Sequence, residues 1–286
     1  MPDFKPVTLS DKSIFDKYFA RYPQYNSEQS FVTIYSWLDA YPATFCDTGT
    51  HLILINDDSI YAPIGPVNIP LFEAVLCRAR ERNLPLCFSD TTYLDYVQTA
   101  HPNLPLRDYR EYADYYYETE TLAKLQGRAY LNVRKQINRF NARWTYTIEP
   151  ISETNIPELL SFLEYWGARN VSETKGFKPE ELCAVKKTFA RFFELGCEGI
   201  ALRIENTIRA FAVWELMPFG VAHVHYEKAD RSFTGLYKII NLETARALSG
   251  KAKWINRESD VDSPGLREAK LRYHPHHLCK LWYIIP

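Results

Sequence analysis

Apolar positions recur along this chain at two periods, three to four residues in some stretches and two in others, and their alternation lays out the elements. Residues 10–22 and 28–40 read as helices, the second with Phe31, Ile34, Trp37 and Leu38 at helical spacing. Runs at 51–56 and 59–65 make a hairpin about Asp57-Asp58. A helix over 70–83, a strand at 85–88, a helix over 91–100 and a strand at 113–119 complete the first half. The second half reads as a strand at 144–148 and a helix over 155–168, with Pro157 in its first turn, where a missing N–H costs nothing. A helix over 179–194 then puts Leu182, Val185, Phe189 and Phe192 on one face. Strands at 198–204 and 207–216 flank Glu205-Asn206, and Pro218-Phe219-Gly220 turns the chain into a third strand, 221–228. A helix over 235–249, a strand at 253–256, a short helix over 264–271 and a strand at 278–284 close the chain.

The same order of elements therefore occurs twice, and Ser27-Glu28 is echoed by Ser172-Glu173 ahead of the corresponding helix. At about 150 residues per domain, 286 residues make about two domains. The expectation is an α/β chain of mixed α+β type with domains 1–142 and 143–286, each a mixed sheet flanked by helices, the second carrying the active site.

Composition narrows the function classes. Lys and Arg number 34 against 35 Asp and Glu, so the overall charge gives no reason to bind nucleic acid and a charged partner must be met locally. Twenty Tyr and 16 Phe with 11 Gly exclude a disordered or low-complexity chain. No run of about 18 apolar residues occurs and the N-terminus lacks the apolar core of a signal peptide, so a soluble, cytoplasmic protein is expected. Six cysteines without a CxxC pair read as reduced, mostly buried residues and not as a disulfide framework or a zinc site.

Chemistry concentrates in three segments. In 127–144, Tyr130, Val133, Ile137, Phe140 and Trp144 share one helical face, with Arg128, Lys135, Arg139 and Arg143 opposite. Arg134 adds to the charge, and the stretch from Lys124 to Arg143 holds no Asp or Glu. A solvated helix back usually mixes signs to gain i,i+4 pairs. Either this is such a face or it meets an anionic partner: tRNA, another polyphosphate or a lipid headgroup. In the strand 221–228, period two puts His223, His225 and Glu227 on one side, as general bases, metal ligands or a buried polar group. In 254–275, Asn256, Arg257, Glu258 and Asp260 follow a strand end where such loops commonly face a cleft, with Arg267 and Lys270 a turn apart on the next helix. Surface ion pairs capping the loop would look the same.

The segments YYYETETLAKLQGRAYLNVRKQINRF (115–140), HYEKADRSFTGLYKIIN (225–241) and INRESDVDSPGLREAKLRYHP (255–275) resemble the C-terminal catalytic domain of bacterial phosphatidylglycerol lysyltransferases and its soluble relatives. The resemblance implies two tandem GNAT-like acyltransferase folds and transfer of an aminoacyl group from aminoacyl-tRNA to an amine or hydroxyl of a small molecule, peptide or lipid headgroup. It implies no tightly bound cofactor and no metal. The alternatives are an acetyl-CoA-dependent N-acetyltransferase and a non-catalytic binding module. The single Gly235 in ADRSFTGLYK, where acyl-CoA enzymes carry several glycines, weighs against CoA. Carried over by position, Lys228, Tyr237, Asn241, Asp260, Arg267 and Lys270 join Glu227 at the cleft; from the chemistry of the residues, Glu227 and Glu258 are expected as proton acceptors and a backbone amide or Lys270 as oxyanion donor. His225, Lys228, Tyr237, Asn241, Asn256, Arg257, Asp260, Arg267 and Tyr273 are expected around the substrate, and Arg128, Arg134, Lys135 and Arg139 on the anion. The sequence leaves the oligomeric state open.

Overall fold

The computed structural model describes residues 3–23, 25–171 and 179–286. It divides into two compact units, Met1–Asp114 with Cys279–Pro286, and Tyr115–Leu278.

The first unit contains β1 (Lys5–Pro6), α1 (Lys12–Phe19), α2 (Phe31–Ser36), β2 (Ala43–Asp47), β3 (Leu52–Asn56), β4 (Ile60–Tyr61), α3 (Ile69–Arg82), β5 (Leu86–Phe88), α4 (Thr91–Ala100) and β6 (Leu106–Asp108). The helix expected over 28–40 shortens because the Ser30 hydroxyl accepts from Thr33 N at 3.0 Å and caps a later start. The second unit runs through β7 (Asp114–Glu118), α5 (Thr119–Lys124), α6 (Leu131–Asn141), β8 (Thr147–Pro150), α7 (Ile156–Val171), α8 (Pro179–Ala190), β9 (Cys197–Ile204), β10 (Thr207–Met217), β11 (Val221–Ala229), α9 (Leu236–Leu248), β12 (Trp254–Asn256) and α10 (Pro264–Leu271). The expected closing strand is two strands, β13 (His277–Cys279) and β14 (Trp282–Ile284).

Those two strands belong to different sheets. The first sheet has the order β1-β2-β3-β4-β5-β14-β6 and the second β13-β7-β12-β11-β10-β9-β8. Read from opposite ends the two orders correspond, and each has a parallel pair at the same place, β4 with β5 and β11 with β12. The next strand is antiparallel in both, β14 on β5 and β7 on β12. The first unit thus takes its sixth strand from the end of the chain, and the strand at 114–118 serves the second. This moves the boundary expected at 142/143 to 114/115 and returns the last eight residues to the first unit. The element order repeats as expected; the echo at Ser172-Glu173 lies outside the described residues.

Each sheet buries apolar residues against helices. In the first unit, Phe72, Val75, Leu76 and Ala79 of α3 meet Ile53, Ile55, Leu86 and Phe88. In the second, Val133, Ile137 and Phe140 of α6 and Leu236, Ile239, Ile240 and Leu248 of α9 cover Ala210, Ala212, Trp214 and Val224. Phe211 of β10 meets Phe162 of α7 and Phe189 of α8 on the other face. Gly235 precedes α9 at φ 100°, and a Cβ there would sit 3.4 Å from both Gln136 O and Phe140 Cβ. Glycine adopts that backbone conformation without strain.

All six cysteines are free; Cys46, Cys87 and Cys197 are buried, while Cys77 and Cys183 are exposed, against the expectation of burial. Among the described residues no helix is long and apolar enough to cross a membrane.

Candidate functional site at the parallel strand pair

The site forms on the second sheet where β11 and β12 run parallel, and a bulge decides which side chains face which way. Val213 of β10 pairs with Tyr226, but its neighbour Trp214 pairs with Val224, so His225 is an extra residue on β11. Glu227 lies opposite Ala212, on the α9 face, whereas His223 lies opposite Glu215, on the other. The expectation that His223, His225 and Glu227 share a face is therefore wrong. A one-residue insertion inverts the alternation on which it rested.

On the α9 face, Glu227 accepts a hydrogen bond from Asn241 Nδ2 at 3.2 Å and pairs with the Arg257 guanidinium through Nη2. The Arg257 guanidinium carbon lies 5.3 Å from the Tyr273 ring and 5.8 Å from that of Tyr117. Tyr117 OH donates to Lys270 O at 2.8 Å and Tyr130 OH to Tyr273 O at 3.0 Å, which fixes the end of α10 against this face. Arg257 Nε and Nη1, Asn241 Oδ1 and Tyr273 OH are buried with no hydrogen-bond partner among the described residues. Such groups cost free energy unless something else satisfies them, and their clustering here makes this the candidate site. Burial, and the carboxylate of Glu227, push the Tyr273 phenol up, with Arg257 opposing.

Behind the bulge, His225 sits between two carboxylates, with Nε2 3.1 Å from Glu215 and Nδ1 3.0 Å from Glu258. Burial alone would depress the imidazole, but the two hydrogen bonds outweigh it and raise its pKa to about 9. His223 is fully buried, neither ring nitrogen has a partner among the described residues, and burial lowers it to about 4. One strand thus carries a cationic and a neutral histidine two residues apart.

The loop after β12 is held from several sides. Glu258, Val261 and Asp262 all adopt left-handed backbone conformations, which cost a residue with a Cβ about 1 kcal/mol or more each. Asn256 Oδ1 accepts from Glu258 N at 2.7 Å. Asp260, fully buried, accepts from Tyr115 OH at 2.5 Å and from Arg267 Nε and Nη2 at 3.0 and 2.8 Å. Lys270 Nζ donates to Arg257 O at 2.6 Å, Glu258 O at 3.0 Å and Ser259 O. All three ammonium hydrogens are thereby engaged, and Lys270 staples the loop. Glu258 is likewise an anchor for His225, and Asp260 with Arg267 is a structural pair.

Lys228 lies on the opposite face from Glu227. It pairs with Glu181 of α8 and stands 4.5 Å over the Trp166 ring, whose Nε1 donates to Tyr237 OH at 3.2 Å. Lys228 and Tyr237 are therefore not joined to the Glu227 group by any hydrogen bond. Arg134 of α6 binds Leu125 O, and Gly127 O at 2.7 Å, closing the turn before its own helix. Arg128, Lys135, Arg139 and Arg143 are exposed and form no ion pair among the described residues. Sequence reasoning missed Lys238, Tyr117 and Glu215. The i, i+3 spacing of Lys238 and Asn241 on one helix was the available signal for the first. Among the described residues no group of three His, Cys, Asp or Glu is placed to hold a metal ion.

No curated protein matches the chain. A protein of unknown function from Bacteroides thetaiotaomicron VPI-5482 is similar over 100% of both chains, with 27% identity and a TM-score of 0.91. L-PGS from Bacillus licheniformis covers 96% of this chain and 92% of its own at 15% identity and a TM-score of 0.64. FemX covers 100% and 98% at 10% identity and a TM-score of 0.61. The fold, two mixed α+β units with matching strand orders, is accordingly the one shared with L-PGS and FemX. The family described as phosphatidylglycerol lysyltransferase, C-terminal, matches residues 19–285, and the chain belongs to it.

Proposed function

We propose that the second unit is an acyltransferase that moves an aminoacyl group from aminoacyl-tRNA to an amine or hydroxyl acceptor. The observation that carries this reading is the buried Glu227–Arg257–Asn241 group with unpartnered polar atoms around it, beside the parallel strand pair. In the proposed step the acceptor heteroatom attacks the ester carbonyl, its proton passes to the Glu227 carboxylate, and the carbon–oxygen bond to the tRNA ribose breaks as that oxygen takes up a proton. The N–H groups that Arg257 retains after pairing with Glu227 meet the carbonyl oxygen as it gains charge. Asn241 orients Glu227, while Lys270, Asn256, Asp260 and Arg267 hold the loop that carries Arg257. Arg128, Lys135 and Arg139 meet the tRNA backbone.

The test is incubation of the full chain with a radiolabelled pool of aminoacyl-tRNAs and, in parallel, labelled acetyl-CoA, against small amines, peptides and glycerol-headgroup lipids. Transfer from tRNA, abolished in Glu227→Gln, supports the reading. Neutralising Arg128, Lys135 and Arg139 together should remove about two to three counterions from the salt dependence of tRNA binding. Transfer from acetyl-CoA alone would replace the donor. Binding without transfer from either would make the protein a non-catalytic module.

A further inference from the structure

Lys238 lies one turn ahead of Asn241 on α9, so the two side chains leave the helix on the same side. Asn241 reaches Glu227, and Lys238 reaches no acceptor. Its Nζ donates no hydrogen bond to any described residue and stands 5.2 Å over the Tyr273 ring. The charges that act on it are Arg257 after β12, Arg272 after α10 and Glu227 on β11. Glu227 is engaged by Arg257, and Arg272 is paired with Glu268 at 2.5 Å. Lys238 thus has no ion-pair partner among the described residues. Tyr273 is 2% exposed, and its hydroxyl has no partner among the described residues.

We propose that Lys238 and the Tyr273 hydroxyl bind an oxyanion, phosphate or carboxylate, carried by the ligand of the second unit. A half-buried amine flanked by guanidinium groups gains Coulomb energy from an anion in a medium less polarisable than water. A buried phenol donates to the same group without a desolvation penalty of its own. Burial first, and then Arg257 and Arg272, lower Lys238 to about 8, and an anion beside the amine would raise it again. The inference rests on the acyl-transfer reading only for where the ligand sits. Its test is binding, so failure of transfer and failure of the anion site are separate results.

The experiment is NMR of the full chain with lysine labelled at Cε, titrated from pH 6 to 11 alone, with inorganic phosphate and with acetate; Lys238→Met assigns the signal. The signal should titrate close to pH 8 in the free protein and move up by about one unit or more when either anion saturates the site. Phosphate affinity should fall about tenfold in Lys238→Met and severalfold in Tyr273→Phe, which keeps the ring in place, and should survive in Lys238→Arg. A shift with phosphate only assigns a phosphoryl group and a shift with acetate only a carboxylate. The proposal is overturned if neither anion moves the titration, or if Lys238→Met binds phosphate as the parent does.

Discussion

The two sheets match strand for strand, yet only one carries polar chemistry at the matching place. In the first unit the parallel pair is two residues of β4, Ile60 and Tyr61, beside Leu86, Cys87 and Phe88 of β5, all buried. In the second it is a nine-residue strand with a bulge, holding His223, His225, Glu227 and Lys228, beside a strand that ends in Asn256 and leads to Arg257. Strand order repeats because it depends on which faces are apolar. A buried ion pair does not repeat, because each charge needs partners supplied by several other elements. The comparison separates what the duplicated fold requires from what was added to one copy.

The largest expected break in that contrast is Arg257→Met. It leaves the buried Glu227 carboxylate without its counter-charge and should cost about 3–5 kcal/mol in urea unfolding, with much of that recovered in the double variant Glu227→Gln/Arg257→Met. An equal loss in the double variant would mean that Arg257 acts through packing on Tyr117 and Tyr273.

Next comes the opposed pair of histidines. His225 has its pKa raised from the ordinary 6.5 to about 9, so its contribution is complete below about pH 6.5 and is lost as pH rises through 9. His223 is lowered to about 4, so its contribution is complete above about pH 6.5 and is lost as pH falls toward 4. Thermal unfolding across pH should therefore peak close to 6.5. His225→Gln should flatten the alkaline limb and leave the acid limb in place.

A smaller effect is expected from Lys270→Met, which frees three carbonyls and the left-handed residues of the loop. It should cost about 2 kcal/mol and raise hydrogen exchange at residues 257–262. Normal stability with abolished transfer would restore Lys270 to the chemistry. The smallest belongs to the first unit. Tyr61 makes long contacts, 3.4 Å from Asn56 and 3.5 Å to Glu28, and Tyr61→Phe should cost under about 1 kcal/mol with no change in transfer.

The sequence by itself determined most of the helices, the three meandering strands of the second unit, the doubling, the basic face of α6 and the segments that line the site. Each of these follows from local periodicity or from residues close together in the chain, such as Val133, Ile137 and Phe140 on one helical face. Tertiary structure decided three things that periodicity cannot carry. It chose which sheet each late strand completes: pairing energy depends on the partner, and β14 finds Phe88, Cys87 and Leu86 far back in the chain. It placed the bulge at His225, where one extra residue inverts a face with no change in composition. And it gave Lys270 to three carbonyls while leaving Lys238 without an acceptor, because the role of a charge is set by the groups that reach it, and those arrive from β7, β11, β12 and α10 only when the chain has folded.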